Sequence, residues 1–257
     1  MSDVSDDKTT PRGPGSGQNP QRALAGRPRT ADECLLDMKA GEAADFTHTD
    51  PWRVLRIQSE FVTGFDTMAG LGPAVTIFGS ARTPEDAPMY QAAVETARLL
   101  AQEGLTIITG GGPGIMEAAN RGAQRGSGVS VGFGIELPFE EGTNPYVDIA
   151  LTFRYFFVRK TMFVKYAQAF VIFPGGFGTM DELFEALTLI QTDKIHDFPV
   201  ILYSTEYWAG LLDWLERTVA GQGKISLEDQ ERFVVVDSPE EVRDVLAEAM
   251  QLPGCGD

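Results

Sequence analysis

Cysteine and histidine are nearly absent from this 257-residue sequence, which has two of each. Cys34 and Cys255 lie near opposite ends, so there is no CxxC pair, no zinc-ligand spacing and no disulfide framework. His48 and His196 form no HExxH and are too few for an imidazole metal cluster. Basic residues are scarce as well: 21 Lys and Arg stand against 37 Asp and Glu, a net charge of -16. That balance argues against general affinity for DNA, RNA or anionic membrane. It leaves room for a small anionic ligand at a locally basic site. No apolar run approaches the roughly 18 residues of a membrane span, and the N-terminus has no apolar h-region. The expectation is a cytoplasmic protein that calls for no metal or cofactor and binds neither nucleic acid nor membrane.

Glycine is what the chain has in excess. There are 28, where an average chain of this length holds roughly 18. Ten of them fall between Gly104 and Gly134, and three more between Gly175 and Gly178.

Residues 1–50 read as a disordered tail, because Pro, Gly, Ser and Arg dominate the first thirty and large apolar residues are few. Residues 51–71 repeat apolar side chains at three- and four-residue intervals (Val54, Leu55, Ile57, Phe61, Val62, Phe65, Met68), which predicts a helix. From 72 to 250, short apolar runs alternate with helical segments, and 251–257 form a C-terminal tail. Strands are expected at Ala74–Gly79, Leu105–Gly110, Val129–Gly134, Ala150–Phe153, Ala169–Pro174, Val200–Tyr203 and Phe233–Val236. Helices are expected near Ala87–Glu103, Ile115–Arg125, Tyr155–Tyr166, Met180–Gln191, Tyr207–Val219 and Pro239–Met250. The runs FVIF and VILY are apolar without alternation, as suits strands covered on both faces. This order implies an α/β fold with a doubly wound parallel sheet flanked by helices, whose ligands bind beyond the C-terminal ends of the strands.

Two glycine-rich loops each follow an apolar strand and open a helix. The first is Thr109-Gly110-Gly111-Gly112-Pro113-Gly114-Ile115; the second is Pro174-Gly175-Gly176-Phe177-Gly178-Thr179-Met180-Asp181-Glu182. A helix N-terminus offers unpaired N–H donors and partial positive charge, and glycine lets a ligand approach the backbone, so both loops suit phosphate. The first is neither a Walker A motif nor GxGxxG. A structural alternative exists for the second: Thr179 and Glu182 fit the S/T-x-x-E capping box, in which Glu182 would only bond back to a backbone N–H.

Between the loops, residues 149–180 contain no Asp or Glu but hold Arg154, Arg159, Lys160 and Lys165. Arg159 and Lys160 lie one turn into the expected helix, and Lys165 need not share their face. An ordinary solvated face or an ion-pair set competes with a phosphate-binding role, to which a bidentate Arg is well matched.

GGGPGIMEAANRGA, the RK of FFVRKTMFVKYAQAFV and PGGFGTMDE together resemble the LONELY GUY family, often mislabelled as lysine decarboxylases. The similarity runs from about Gly72 to Met250, with the helix before it looking like the longer bacterial form. The resemblance implies a Rossmann-like fold. It also implies hydrolysis of cytokinin riboside 5′-monophosphates, and commonly AMP, to free base and ribose 5-phosphate. It casts Arg159 and Glu182 as the catalytic pair, with Arg159 and Lys160 contacting substrate. It casts Gly175, Gly176, Gly178, Thr179 and Asp181 as the loop around the phosphoribosyl group. Gly110, Gly111, Gly112 and Gly114 belong to the same cleft. Ser80 is a further candidate substrate contact, and so is a carboxylate before the RK, which is Glu136, Glu140 or Glu141. The family unit is a homodimer, and longer members assemble to hexamers. A cluster of Phe153, Tyr155, Phe156, Phe157, Met162 and Phe163 suits such an interface or a buried helix equally.

Two other readings remain. A non-catalytic nucleotide or molybdenum-cofactor carrier uses a similar fold and similar loops but has no need of the Arg159/Glu182 pair. A lysine decarboxylase would need a Schiff-base Lys and a carboxylate for the pyridinium nitrogen of pyridoxal phosphate, and nothing marks Lys160 or Lys165 for that work.

Overall fold

The structure is a computed structural model that describes residues 29–36, 50–136, 142–196, 198–226 and 228–250. Seven strands form one parallel sheet: β1 (Ala74–Phe78), β2 (Thr106–Thr109), β3 (Ser130–Ile135), β4 (Ile149–Phe153), β5 (Ala169–Ile172), β6 (Val200–Tyr203) and β7 (Val234–Val236). Their order is β4-β3-β2-β1-β5-β6-β7. The helices are α1 (Ala31–Leu36), α2 (Asp50–Met68), α3 (Pro88–Gln102), α4 (Ile115–Arg125), α5 (Phe156–Tyr166), α6 (Phe177–Gln191), α7 (Thr205–Trp214) and α8 (Pro239–Met250). All seven expected strands are present, each within two residues of its expected ends, and the Rossmann-like doubly wound architecture is confirmed.

The apolar strands divide their side chains between two cores with period 2. Val75 and Ile77 of β1 and Ala169 and Val171 of β5 pack against α3, α4 and α8. Phe78, Phe170 and Ile172 face the other way, onto α2, α5, α6 and α7. Burial on both faces is why FVIF shows no polar alternation. Close approach between helices uses small residues: a Cβ on Gly122 of α4 would lie 2.2 Å from the Val94 carbonyl oxygen of α3, and one on Gly64 of α2 would lie 2.8 Å from Met162 of α5.

Three differences from the expected elements matter. The helix expected from Met180 begins three residues earlier, at Phe177. The helix expected to run to Val219 gives way after Trp214 to a π-helical turn, Leu215–Ala220. Part of the segment expected to be a tail is helical: in α1, Ala31 and Leu35 pack on the core, and Thr30 beneath it is buried. The remainder of that tail, residues 1–28 and 37–49, and residues 251–257 lie outside the described residues.

In the aromatic cluster, Phe153, Tyr155, Met162 and Phe163 are buried within the chain, whereas Phe156 and Phe157 are 44% and 42% exposed. Among the described residues no helix is long and apolar enough to cross a membrane.

Candidate active site

The sheet order reverses between β1 and β5. A doubly wound sheet opens its ligand crevice at such a point, beyond the C-terminal strand ends. Three loops meet there. Ser80, just past β1, joins them through its backbone: its N–H donates to the Pro174 carbonyl (3.0 Å), and its carbonyl accepts from Ile115 N–H at the start of α4 (3.0 Å). Its hydroxyl accepts from Arg82 N–H (3.1 Å). Ser80 is therefore the brace between the two glycine loops.

The two loops are not equivalent. Neighbouring protein atoms already fill the space around the first. A Cβ on Gly110 would lie 2.5 Å from Nη2 of Arg159, and one on Gly114 would lie 2.4 Å from the Ser80 carbonyl oxygen, at a φ of +68° that itself favours glycine. This loop is held from below by a buried polar network. The Asn120 carboxamide accepts from Thr109 Oγ1 (2.6 Å) and donates to Ser130 Oγ (2.8 Å). Asn144 Nδ2 approaches the carbonyls of Gly111 (3.1 Å) and Gly112 (3.0 Å) and Asn120 Oδ1 (2.9 Å). Sequence reasoning missed both asparagines. The available signal was Asn120, a carboxamide in the GIMEAAN motif on an otherwise apolar buried helix face.

The second loop is open. At Gly175 a Cβ would strike Thr179 Oγ1 at 2.1 Å, but at Gly176 and Gly178 it would meet nothing within 4 Å. Among the described residues no neighbour requires glycine at those two positions, so the backbone there is open to approach. The first intrahelical bond runs from Met180 N–H to the Gly176 carbonyl (3.0 Å). No side chain caps the helix. The N–H groups of Phe177, Gly178 and Thr179 therefore have no intrahelical partner, the arrangement that favours an anion. The Tyr207 hydroxyl donates to the Gly175 carbonyl (2.6 Å), steadying the loop from α7.

Glu182 lies on the second turn of α6. Because the helix starts at Phe177, Thr179 is inside it and is not an N-cap, so the capping-box reading of Glu182 is excluded. Its side chain is buried, at 7% exposure, and Oε2 has no hydrogen-bond partner among the described residues. Burial pushes its carboxyl up to about 7; Lys160 and Arg159 pull it down, and Glu185 and Asp181 push it up. An unpartnered buried carboxyl is costly to keep. Its persistence beside an open cradle marks a group kept for something other than stability.

Arg159 and Lys160 reach the crevice from α5. Arg159 Nε donates to the Phe133 carbonyl at the C-terminal part of β3 (2.7 Å), and its guanidinium lies 5.1 Å from the Phe163 ring centre. Lys160 pairs with Glu185 (2.5 Å) and Asp181 (3.0 Å) of α6. Burial works against its charge, but those two bonds outweigh it and the ammonium is held above its ordinary range. The other cations of the acid-free stretch are elsewhere. Lys165 sits over the rings of Phe65 and Tyr166, and Arg154 lines a cleft beside α2.

The start of α5 is fixed by carboxylates from the preceding helices: Asp32 Oδ2 accepts from Phe156 N–H (3.1 Å), and Glu60 accepts from Arg154 N–H (3.1 Å). Glu136 follows β3, exposed, and its charge acts on Asp32. Glu140 and Glu141 lie outside the described residues.

Residues 116–246 match the family model described as "Possible lysine decarboxylase". The chain is 32% identical over 169 residues to the cytokinin riboside 5′-monophosphate phosphoribohydrolase of Mycobacterium tuberculosis, covering 65% of this chain and 88% of that one. It is 31% identical over 186 residues to a probable enzyme of the same name from Oryza sativa subsp. japonica, covering 70% and 80%. The chain belongs to the LONELY GUY family.

Among solved structures, the molybdenum cofactor binding protein of Rippkaea orientalis shares the fold at a TM-score of 0.52 and 24% identity, covering 69% of this chain and 97% of that one. The molybdenum cofactor carrier protein of Chlamydomonas reinhardtii does so at 0.51 and 21%, covering 70% and 98%.

The decarboxylase label of the family model does not suit this LONELY GUY crevice. A Schiff-base lysine needs a readily deprotonated amine, and Lys160 is instead held charged between two carboxylates.

Proposed function

We propose that the chain hydrolyses the N-glycosidic bond of a nucleoside 5′-monophosphate, a cytokinin riboside 5′-monophosphate and/or AMP, to free base and ribose 5-phosphate. The observation that carries this reading is Glu182, a buried carboxyl with a free oxygen, beside a backbone cradle whose glycines leave room for a ligand. The 5′-phosphate accepts from the open N–H groups of Phe177, Gly178 and Thr179. Breaking the glycosidic bond builds oxocarbenium character at C1′ and negative charge on the base. Ionised Glu182 stabilises that cation and takes a proton from the attacking water, as carboxylates do in glycosidases. The departing base takes up one proton from solvent, and Glu182 later releases its own. The Arg159 guanidinium, whose Nε donates to the Phe133 carbonyl of β3, stabilises the phosphoribosyl group or the charge developing on the base.

Purified protein incubated with AMP and with N6-prenylated AMP should release free base and ribose 5-phosphate in equal amounts. Glu182→Ala and Arg159→Ala that fold normally should each lose base release by about a hundredfold or more. Parental rates in both would overturn the assignment. With Glu182 titrating at about 7, kcat/KM should fall as pH drops below neutrality.

A second reading, non-catalytic carriage of a nucleotide or molybdenum cofactor, has in its favour the fold shared with the molybdenum cofactor binding protein and the carrier protein. It predicts stoichiometric binding of AMP with no ribose 5-phosphate formed.

A further inference from the structure

Lys160 stands among three carboxylates on the first turns of α6: Asp181, Glu182 and Glu185. An ammonium has three donors and can serve three acceptors. Here Nζ lies 2.5 Å from Glu185 Oε2 and 3.0 Å from Asp181 Oδ2, while Glu182 Oε2 is enclosed without a partner. The two bonded carboxylates are on the wetter side, with side chains 57% (Asp181) and 31% (Glu185) exposed, and Glu182 is on the drier one.

We propose that Glu185 is a positioning residue: with Asp181 it anchors Lys160 on the solvent side of α6 and keeps the ammonium from closing on Glu182, whose oxygen thereby stays free for the substrate. The use made of that oxygen rests on the hydrolase reading; the anchoring itself does not.

The charged groups acting on Glu182 are Lys160 and Arg159 from α5 and Glu185 and Asp181 from α6. Replacing Glu185 by Gln keeps the shape and an acceptor oxygen but removes the charge. Lys160 is then freer to turn to Glu182, and a like charge beside Glu182 is gone. Both effects favour ionised Glu182, so they have the same sign.

The test is a carbon-13 NMR titration of the full chain labelled at glutamate carboxyls, with Glu182→Gln identifying the Glu182 signal. In Glu185→Gln the Glu182 midpoint should fall by about half a unit or more, and the acid limb of kcat/KM should move down with it. A midpoint that stays or rises overturns the proposal, and so does an equal fall in a Lys160→Met background, where only the like charge is lost. Should Glu185→Gln fail to fold, Glu185→Asp keeps the charge but draws it back from Lys160. It should lower the midpoint by less, and no downward movement overturns the proposal equally. The titration needs no substrate. A parental protein that releases no base while these midpoints move sinks the hydrolase reading and leaves the anchoring standing; fixed midpoints in an active enzyme do the reverse.

Discussion

Thr30-Ala31-Asp32-Glu33 and Thr179-Met180-Asp181-Glu182 are near-copies in sequence, and both lie at the start of a helix. The first is a working capping box. Glu33 Oε2 accepts from Thr30 N–H (2.9 Å), and Thr30 Oγ1 accepts from Glu33 N–H (3.3 Å). In the second, the helix has already begun two residues before the threonine, Thr179 is packed against Gly175, and Glu182 is left enclosed with one oxygen unpaired. The aspartates differ less, since both reach α5: Asp32 bonds the Phe156 N–H and Asp181 pairs with Lys160. The same four-residue pattern thus satisfies a helix end in one place and withholds a carboxyl from any structural use in the other. What separates them is the Gly175–Gly178 loop, which starts α6 early and leaves its first N–H groups without an intrahelical partner.

The comparison breaks most sharply at Glu182. Glu182→Gln should lower base release by two to four orders of magnitude, the range general acid–base groups supply. It should also stabilise the fold. A carboxyl moved by folding from 4.5 to about 7 binds extra protons between those values. The native state therefore loses stability as pH rises through that window, by roughly 3 kcal/mol in the limit. The Gln variant escapes this penalty, so it should melt above the parent at pH 8 and show no such gain at pH 4. Calorimetry at the two pH values checks the sign.

Gly175 and Gly176 sharpen the same contrast one level down. Gly176→Ala adds a methyl to open space, so the melting temperature should hold while kcat/KM falls about tenfold through weaker phosphate binding. Gly175→Ala drives a methyl into Thr179 and should destabilise the start of α6 by about 1–3 kcal/mol, the usual range for overpacking. An unchanged kcat/KM in Gly176→Ala would mean that the open space at Gly176 has no bearing on ligand approach.

Much of this was legible in the chain. Apolar runs separated by helical periods placed all seven strands, because strands buried on both faces need continuous apolar residues. The acid-free stretch containing Arg159 and Lys160 and the PGGFGT loop marked the crevice. Three things were not legible. Helix α1 is six residues long and is held by Ala31 and Leu35 docking on a distant core, which no local pattern reports. The two glycine loops look alike in sequence, yet one is packed against Arg159 and Ser80 and the other is open, a difference of tertiary neighbours alone. The sequence leaves Lys160 open between substrate contact and an ion-pair set, and nothing local reports that Glu185, one turn beyond Glu182, pairs with it.

Thr30→Ala and Glu33→Ala probe the weaker side of the comparison. Each removes half of a capping box on a short helix, a change that costs about 1 kcal/mol. The hydrogen bond from α1 to the start of α5 is made by Asp32, and Asp32 remains in both variants. The melting temperature should therefore drop by a few degrees with kcat and KM unchanged. Should kcat fall as well, α1 would be setting the position of Arg159 through α5, and the two Thr-x-Asp-Glu segments would be parts of one device acting on the same helix from two sides.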